Sequence, residues 1–161
     1  MTKCGIGYDA HRLVAGRKLI LGGIEIPHSL GLEGHSDADV LSHAIADALL
    51  GAIGEKDIGH HFPNTDEDIR GISSIAILER VYEVLARSGA RIINVDATLI
   101  AEAPKIAPHI SAMRDRIAAA LQIEVNCVSI KATTNEGLGT IGRGEGMAAM
   151  AVASVEQDLV R

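Results

Sequence analysis

The order of hydrophobic and polar positions divides the first third of the chain into short strands and one long helix. Residues 3–9 are interpreted as a short strand that ends at Asp9. Residues Lys18–Ile26 contain two apolar runs around Gly22-Gly23, which is typical of a hairpin with a two-residue turn. Apolar residues then recur at helical spacing and predict a helix with one wide apolar face. They are Val40, Leu41, Ala44, Ile45, Ala48, Leu49, Ala52 and Ile53.

The second half of the chain alternates helices with strands. The predicted helices are Ser74–Ser88, ended by Gly89, and Pro108–Leu121, and the predicted strands are Arg91–Ala101, Val125–Thr134 and Met147–Gln157. This alternation predicts an α/β fold, an α+β sandwich in which helices cover one face of a mixed four-stranded sheet beside the small β-hairpin. We expect residues 1–161 to form a single domain.

Three segments lack this periodicity. His28–Gly34 is predicted to be a glycine-containing loop. Gly54–Ser73 is polar, with three glycines and a proline, and a segment of this kind inside a domain is usually functional or mobile. Glu136–Gly146 contains five glycines in eleven residues. We therefore expect binding residues rather than core in the second and third of these segments.

Composition limits the classes of function. Hydrophobic residues make up 47% of the chain but aromatic residues only 2%, so the core must be built from Ile, Leu, Val and Ala. The formal net charge of −6 argues against a general nucleic-acid binder or a protein of anionic membranes. An anionic substrate is still compatible with this charge, provided that a local pocket of cations, metal or backbone amides receives it.

The sequence also predicts the cellular compartment of the protein. No apolar run approaches the about 20 residues that a membrane-spanning helix needs, and the first residues show no apolar core of a signal peptide. Cys4 and Cys127 are interpreted as small buried hydrophobes in a reducing compartment. We therefore expect a cytoplasmic protein with neither nucleic acid nor membrane as partner.

Asp9-Ala10-His11 is the first candidate metal site. Two residues apart on a strand, Asp9 and His11 point in the same direction. His43, on the predicted helix, adds a remote third ligand, and one Asp with two His and an open fourth position is typical of catalytic zinc. The structural alternative stays open, because polar residues at strand ends and a hydrogen-bonded His at a helix edge are common. Adjacent His60 and His61 diverge and are interpreted as loop residues.

The residues before that helix have a structural interpretation of their own. Ser36 and Asp39 resemble a capping box with Asp in place of Glu or Gln. Asp37 and Asp39 also suit a helix N-terminus, where negative charge is favourable.

Lys131–Gly137 is the second candidate site, at the point where a strand ends in a glycine-rich turn. Its free amides, two hydroxyls and Lys131 suit a phosphate. Glu136 is out of place beside an anion unless a second divalent cation joins the two, and Arg143 is a good anion receptor. The alternative is an ordinary glycine-rich loop. Neither a dinucleotide-binding nor a P-loop glycine pattern is present.

Six motifs occur in order along essentially the whole chain: D-x-H, H-S-D-x-D-x-x-x-H, D-I-G-x-x-F-P, A-x-A-P-K, K-A-T-T-x-E and G-R-G-E-G. Together they closely resemble the 2-C-methyl-D-erythritol 2,4-cyclodiphosphate synthase family of the non-mevalonate isoprenoid pathway. The resemblance implies conversion of 4-diphosphocytidyl-2-C-methyl-D-erythritol 2-phosphate into the cyclic diphosphate and CMP. It also implies one Zn²⁺ per chain, a second cation, Mg²⁺ or Mn²⁺, and a homotrimer with active sites between subunits.

The resemblance also assigns roles to residues. It implies that Asp9, His11 and His43 bind zinc, with a substrate phosphate in the fourth position, and that His35 and Thr134 stabilise the transition state. The cytidine pocket corresponds to Ala101, Glu102, Ala103, Pro104, Lys105, Ile106 and Ala107. The phosphate segment corresponds to Thr133, Thr134, Asn135 and Glu136, the last reaching the second metal through phosphate. The other implied substrate contacts are Asp9, His11, His35, Ser36, Asp57, Ile58, Gly59, Phe62, Pro63, Asn64, Thr65, Asp66 and Arg143.

Two positions depart from the family pattern, and two other functions compete. Asn64 stands where Asp is expected, and Thr140-Ile141 stands where an aromatic-Thr pair is expected. A zinc-dependent phosphohydrolase would use the same three ligands with metal-bound hydroxide. A binding module with structural zinc is the non-enzymatic alternative, which three protein ligands instead of four disfavour.

Overall fold

A mixed five-stranded sheet forms the centre of the structure, a computed structural model that describes residues 1–63 and 71–157. The strands are β1 (Thr2–Ala15), β4 (Leu30–Leu32), β5 (Ala90–Ile100), β6 (Val128–Thr133) and β7 (Gly146–Gln157), in the order β4-β1-β7-β5-β6. All neighbours are antiparallel except β5 and β6, which are parallel. Strands β2 (Leu19–Leu21) and β3 (Ile24–Ile26) form a separate hairpin around Gly22-Gly23. The predicted fold class is confirmed.

Helices pack against this sheet and against one another. They are α1 (Val40–Ala52), α2 (Ile58–His61), α3 (Ser74–Arg87), α4 (Ile110–Ala120) and α5 (Gly139–Gly142), with 3₁₀ turns at Ala107–His109 and Val125–Cys127. All of α1 except Asp47 and Gly51 is buried, because the sheet covers one side of it and α3 and the hairpin pack nearby. No helix in residues 1–63 or 71–157 is long and apolar enough to cross a membrane.

The sheet has five strands where four were predicted, and the difference lies near the N-terminus. β1 continues past Asp9 to Ala15, and Leu13–Ala15 pairs with Leu30–Leu32 inside the segment that was predicted to be a loop. A strand of three residues with a central glycine is too short to show the alternation of apolar and polar residues that predicts a strand from sequence. Only its pairing with β1 reveals it as the edge of the sheet. The aperiodic segment after α1 likewise contains the short α2, whose N-cap is Asp57.

Two glycines let α1 approach β1 closely. A Cβ placed on Gly5 would lie 2.1 Å from the carbonyl oxygen of Ala48, and one placed on Gly7 would lie 1.9 Å from that of Ala44. The inward positions of β1 are therefore glycine where they face the helix and become Asp9 and His11 one and two steps further along. Because the helix lies directly on the strand, His43 of α1 is brought within reach of both.

The opposite face of the sheet carries apolar side chains that nothing in the described chain covers. Ile6 pairs with Val152 and Tyr8 with Met150 across β1 and β7, and all four side chains are exposed, Ile6 by 66%. Cys4 also lies on this face and is exposed, so its interpretation as a buried hydrophobe is wrong for the single chain. Monomeric proteins seldom expose contiguous apolar groups of this kind.

Candidate metal centre and active site

Asp9, His11 and His43 form a compact cluster at one end of the β1–α1 contact. Asp9 Oδ2 lies 2.9 Å from His11 Nε2 and 2.9 Å from His43 Nδ1, and the two nitrogens are 3.3 Å apart. His43 is buried, and the other two residues are half-buried. One carboxylate oxygen and two imidazole nitrogens thus converge on one point, which could hold a metal ion.

The electrostatics of the cluster follow from this proximity. Burial by itself raises the pKa of Asp9, but hydrogen bonds and positive charge from His11 and His43 outweigh burial and hold that pKa well below its usual range. Burial likewise lowers the pKa of His43, and the Asp9 carboxylate overcomes it, so the pKa of His43 is raised. Asp9 is therefore an anion at neutral pH, as a metal ligand must be.

Asp39 fixes the start of α1 and so the position of His43. Its carboxylate accepts hydrogen bonds from Ser42 N at 3.1 Å and Ser42 Oγ at 2.7 Å. It also accepts from Gly22 N and Gly23 N of the hairpin turn, at 2.9 and 2.7 Å. The predicted capping box is wrong, since the N-cap is Asp39 and the helix begins at Val40. Burial raises the pKa of Asp39. The four groups named above are all N–H or O–H donors, and an ionised carboxylate can accept a hydrogen bond from each of them.

His43 is held on its second ring nitrogen as well. Nε2 lies 2.9 Å from Ser74 Oγ at the start of α3 and 3.2 Å from Ser36 Oγ. Ser74 Oγ in turn donates to Asp37 Oδ1. Ser36 was predicted to lie at the site, Asp37 was given only a helix-terminal role, and Ser74 was not predicted. No sequence signal marks Ser74, because it meets His43 only through the packing of α3 near α1.

The segments predicted to bind cytidine and phosphate meet near the edge of the sheet that β6 forms. Ala101 follows β5 and donates its N–H to Thr133 O at 3.0 Å, and Asn135 N donates to Glu102 Oε1 at 2.7 Å. Thr134 Oγ1 donates to Glu136 Oε1 at 3.0 Å. Parallel pairing of β5 with β6 thus brings together two segments that are about thirty residues apart in the chain.

Within one chain, these two segments lie away from the cluster of Asp9, His11 and His43. Asp9 pairs with Ala149, Ala149 with Leu99, and Leu99 with Ala132, so β7 and β5 separate the strand of Asp9 from the strand that ends at Thr133. Three steps between neighbouring strands amount to about 14 Å. Both groups nevertheless lie toward the same end of the sheet.

The predicted hydroxyl-binding segment is tied to α1. Asp57 Oδ1 accepts from His60 N at 2.9 Å, and Ile58 N donates to Asp47 Oδ1 at 2.8 Å. Asp47, one turn beyond His43, was not predicted; its burial raises its pKa. Gly59 belongs to α2, which ends at Phe62, and Arg80 Cζ lies 5.8 Å from the Phe62 ring centroid.

Other predicted residues are not drawn into either group. His35 and Pro63 are exposed, Lys105 is exposed beyond β5, and Asn64, Thr65 and Asp66 lie outside the described residues. Arg143 Nε donates to Glu145 Oε1 at 2.7 Å in an exposed ion pair. Lys131 was expected to suit a phosphate, but its ammonium pairs with Asp96 on the neighbouring strand.

An open cavity of about 210 Å³ lies beside His11. It is lined by Ala10, His11, Arg12, Thr140, Ile141, Glu145 and Gly146. The unusual Thr140-Ile141 pair therefore lines a cavity without supplying an aromatic ring.

Comparison with known proteins identifies the family of the chain. The family model described as the YgbB family matches residues 2–156. The chain belongs to the YgbB family. A relative named 2-C-methyl-D-erythritol 2,4-cyclodiphosphate synthase, from Alkaliphilus metalliredigens, is 60% identical over 157 residues, which cover 98% of this chain and 99% of that protein. The chain thus belongs to a family of enzymes.

Solved structures share the fold. IspF from Plasmodium falciparum, in a CDP complex, is 31% identical with a TM-score of 0.85, and the match covers 98% of this chain and 97% of that one. The bifunctional IspDF from Campylobacter jejuni is 37% identical with a TM-score of 0.94. That match covers 98% of this chain but 43% of the bifunctional chain, so this chain corresponds to less than half of it.

Proposed function

We propose that the protein cyclises 4-diphosphocytidyl-2-C-methyl-D-erythritol 2-phosphate to 2-C-methyl-D-erythritol 2,4-cyclodiphosphate and releases CMP. The main support is the cluster of Asp9, His11 and His43. It occurs in a chain that is 60% identical to a protein named 2-C-methyl-D-erythritol 2,4-cyclodiphosphate synthase. An oxygen of the 2-phosphate attacks the phosphorus attached to the 4-oxygen. The bond from that phosphorus to the CMP oxygen breaks, and no water is consumed.

The three ligands suit zinc. Ligand atoms about 2.0–2.1 Å from a tetrahedral ion stand about 3.3 Å apart. The distances of 2.9, 2.9 and 3.3 Å in the cluster are close to the edges of that tetrahedron. Three protein ligands leave one position for a substrate phosphate. Bound zinc supplies a Lewis acid that withdraws charge from this phosphate.

The protein residues act by position and charge. The nucleophile is already a phosphate oxygen, so no Ser, Cys or base needs to be deprotonated, and alignment of two repelling phosphates is the main task. His35 and Thr134 are assigned to donate hydrogen bonds to phosphoryl oxygens as charge moves toward CMP. For Thr134 this means that its hydroxyl turns from Glu136, to which it donates in the structure, to the phosphate. Ser36 would contact a phosphate bound at the Asp9, His11 and His43 cluster, and Arg143 would offer its guanidinium to another phosphate.

Glu136 is proposed to hold a second divalent cation, Mg²⁺ or Mn²⁺, through the substrate phosphates. Its Oε1 accepts from Thr134 Oγ1, which leaves Oε2 for a cation. The carboxylate lies in a left-handed turn next to Gly137 and is exposed. An oxygen donor that supplements phosphate ligands is the usual mode of Mg²⁺ binding.

Substrate recognition is assigned to three segments. Ala101–Ala107 is assigned to cytidine. The CDP complex of the Plasmodium relative supports a cytidine nucleotide as the ligand. Asp57–Gly59 receives the methylerythritol hydroxyls, with the loop Phe62–Asp66 beside them. We take residues 1–161 as one domain and place the reaction in the cytoplasm, which the two free cysteines support.

We further propose a homotrimer in which each site is shared by two chains. Within one chain, about 14 Å of sheet separates the metal cluster from Thr133–Glu136, which favours a partner as the source of one half. The uncovered face with Ile6, Tyr8, Met150 and Val152 supplies an apolar surface for such an assembly. A closed ring would bury this surface in every chain.

Product analysis tests the function. The purified protein with Zn²⁺ and Mg²⁺ should convert the substrate into one equivalent of CMP and one of the cyclic diphosphate, whose two coupled phosphorus atoms are identified by ³¹P NMR. The zinc-dependent phosphohydrolase remains the alternative, since it would use the same ligands. Linear methylerythritol phosphates in place of the cyclic product would establish that alternative.

A further inference from the structure

We infer that Ser74 and Asp37 are positioning residues that fix the proton of His43 on Nε2 and so present Nδ1 to the metal. The inference rests on the proposed metal site and concerns two residues to which no role in it has been assigned. His43 directs Nδ1 toward Asp9 and His11, and its Nε2 toward Ser74.

The direction of the hydrogen bonds follows from a count of protons. Asp37 accepts from Ser74 Oγ and Asp39 N on Oδ1, and from Ser74 N on Oδ2. Within residues 1–63 and 71–157, every hydrogen-bond partner of this carboxylate is thus a donor. The single hydroxyl proton of Ser74 is given to Asp37, so Ser74 Oγ presents only lone pairs to His43 Nε2. A hydrogen bond over their 2.9 Å therefore requires the proton to be on Nε2.

A neutral imidazole with its proton on Nε2 has its lone pair on Nδ1. Metal-bound histidines are commonly oriented in this way, by a carboxylate, carbonyl or water at the other nitrogen. Here the hydroxyl of Ser74 lies between the imidazole of His43 and the carboxylate of Asp37. Ser74 is buried, so water does not replace the interaction when the hydroxyl is removed.

Ser36 does not supply the same constraint. Its hydroxyl is at 3.2 Å from His43 Nε2 and accepts from Ala38 N, so its own proton is free to turn in either direction. Ser36 is compatible with both tautomers of His43, whereas the Ser74–Asp37 pair is compatible with one.

Zinc affinity tests the inference, measured by competition with a chromophoric chelator on protein that binds a single equivalent. Ser74→Ala should weaken zinc binding about 10–100-fold. Ser74→Thr keeps the hydroxyl and should recover most of that loss. The control is Ser88→Ala, because Ser88, at the other end of α3, is half-buried and donates its hydroxyl to Leu85 O without touching His43. It should keep the affinity of the unaltered protein.

A second readout is the visible absorption of the cobalt-substituted protein. Ser74→Ala and Asp37→Asn should both change the ligand-field bands, and Ser88→Ala should not. Equal zinc affinities for Ser74→Ala and Ser88→Ala, or no recovery by Ser74→Thr, would overturn the positioning role. An unaltered protein that binds no zinc would instead overturn the proposed metal site itself, and this inference with it.

Discussion

His43 is restrained at both ring nitrogens and at its backbone. Nδ1 faces Asp9, Nε2 faces Ser74, and His43 N donates to Asp39 O at 3.0 Å within the first turn of α1. A side chain with so few remaining degrees of freedom loses little entropy when it binds a ligand. The cluster is thus organised for a metal before one arrives.

Removal of either histidine should abolish stoichiometric zinc binding. In His11→Ala and His43→Ala, metal analysis should show zinc well below one equivalent, because two remaining protein ligands bind zinc far more weakly. His60→Ala is the matched control, since His60 lies on α2 away from the cluster, and it should retain zinc. Circular dichroism should show an unchanged fold in all three. Full zinc occupancy in both cluster variants would rule out this ligand set.

Glu136 should act through a cation and not as a base. Glu136→Gln preserves an oxygen that accepts from Thr134 but removes the charge, so activity should fall and should recover partly as Mg²⁺ or Mn²⁺ is raised. Glu156→Gln, at the far end of β7, controls for loss of a surface charge. A shifted pH profile with no response to metal would favour a general base.

At the scale of elements, the distance between β1 and α1 sets the metal centre. Gly7→Ala places a Cβ against the carbonyl of Ala44, next to His43, so the helix must move away from the strand. We expect a loss of about 1–3 kcal/mol in the free energy of unfolding, together with weaker zinc binding. Chemical denaturation and chelator competition measure the two effects.

Gly51→Ala is the matched control on the same helix. A Cβ there meets nothing closer than 3.9 Å, and Gly51 is exposed. Alanine should therefore stabilise the protein by about 0.5–1 kcal/mol, since glycine is a poor helix former, and zinc affinity should not change. Equal behaviour of the two variants would mean that close β1–α1 packing does not define the site.

The elements also show what the sequence could predict. The periodicity of α1, the Gly22-Gly23 turn and the Asp9-His11 spacing depend on near neighbours, and each was predicted correctly. The strand Leu30–Leu32 exists through its partner, and Ser74 meets His43 across 31 residues. Such features depend on tertiary packing, which no local pattern contains.

At the scale of the whole molecule, the shared site can be tested by mixing defects. Asp9→Ala damages the metal half, and Thr134→Ala damages the phosphate half. After denaturation and refolding of the two variants together at equal amounts, about a quarter of the sites around a ring should join two intact halves. Activity should return to that fraction of the unaltered protein and should elute with trimers.

The matched control mixes Asp9→Ala with His11→Ala. Both variants damage the same half, so no neighbour pair regains a complete site and activity should stay absent. Recovery in neither mixture would mean that each chain carries its own complete site. Recovery in both would mean that the two halves are not divided as proposed.

The isotope content of the products tests the proposed cyclisation most directly. The reaction is run in water enriched in ¹⁸O, and the products are weighed by mass spectrometry. Because a phosphate oxygen of the substrate is the nucleophile, both CMP and the cyclic diphosphate should contain no solvent oxygen. One ¹⁸O atom in either product at the moment of its release would show attack by water and would contradict the cyclisation.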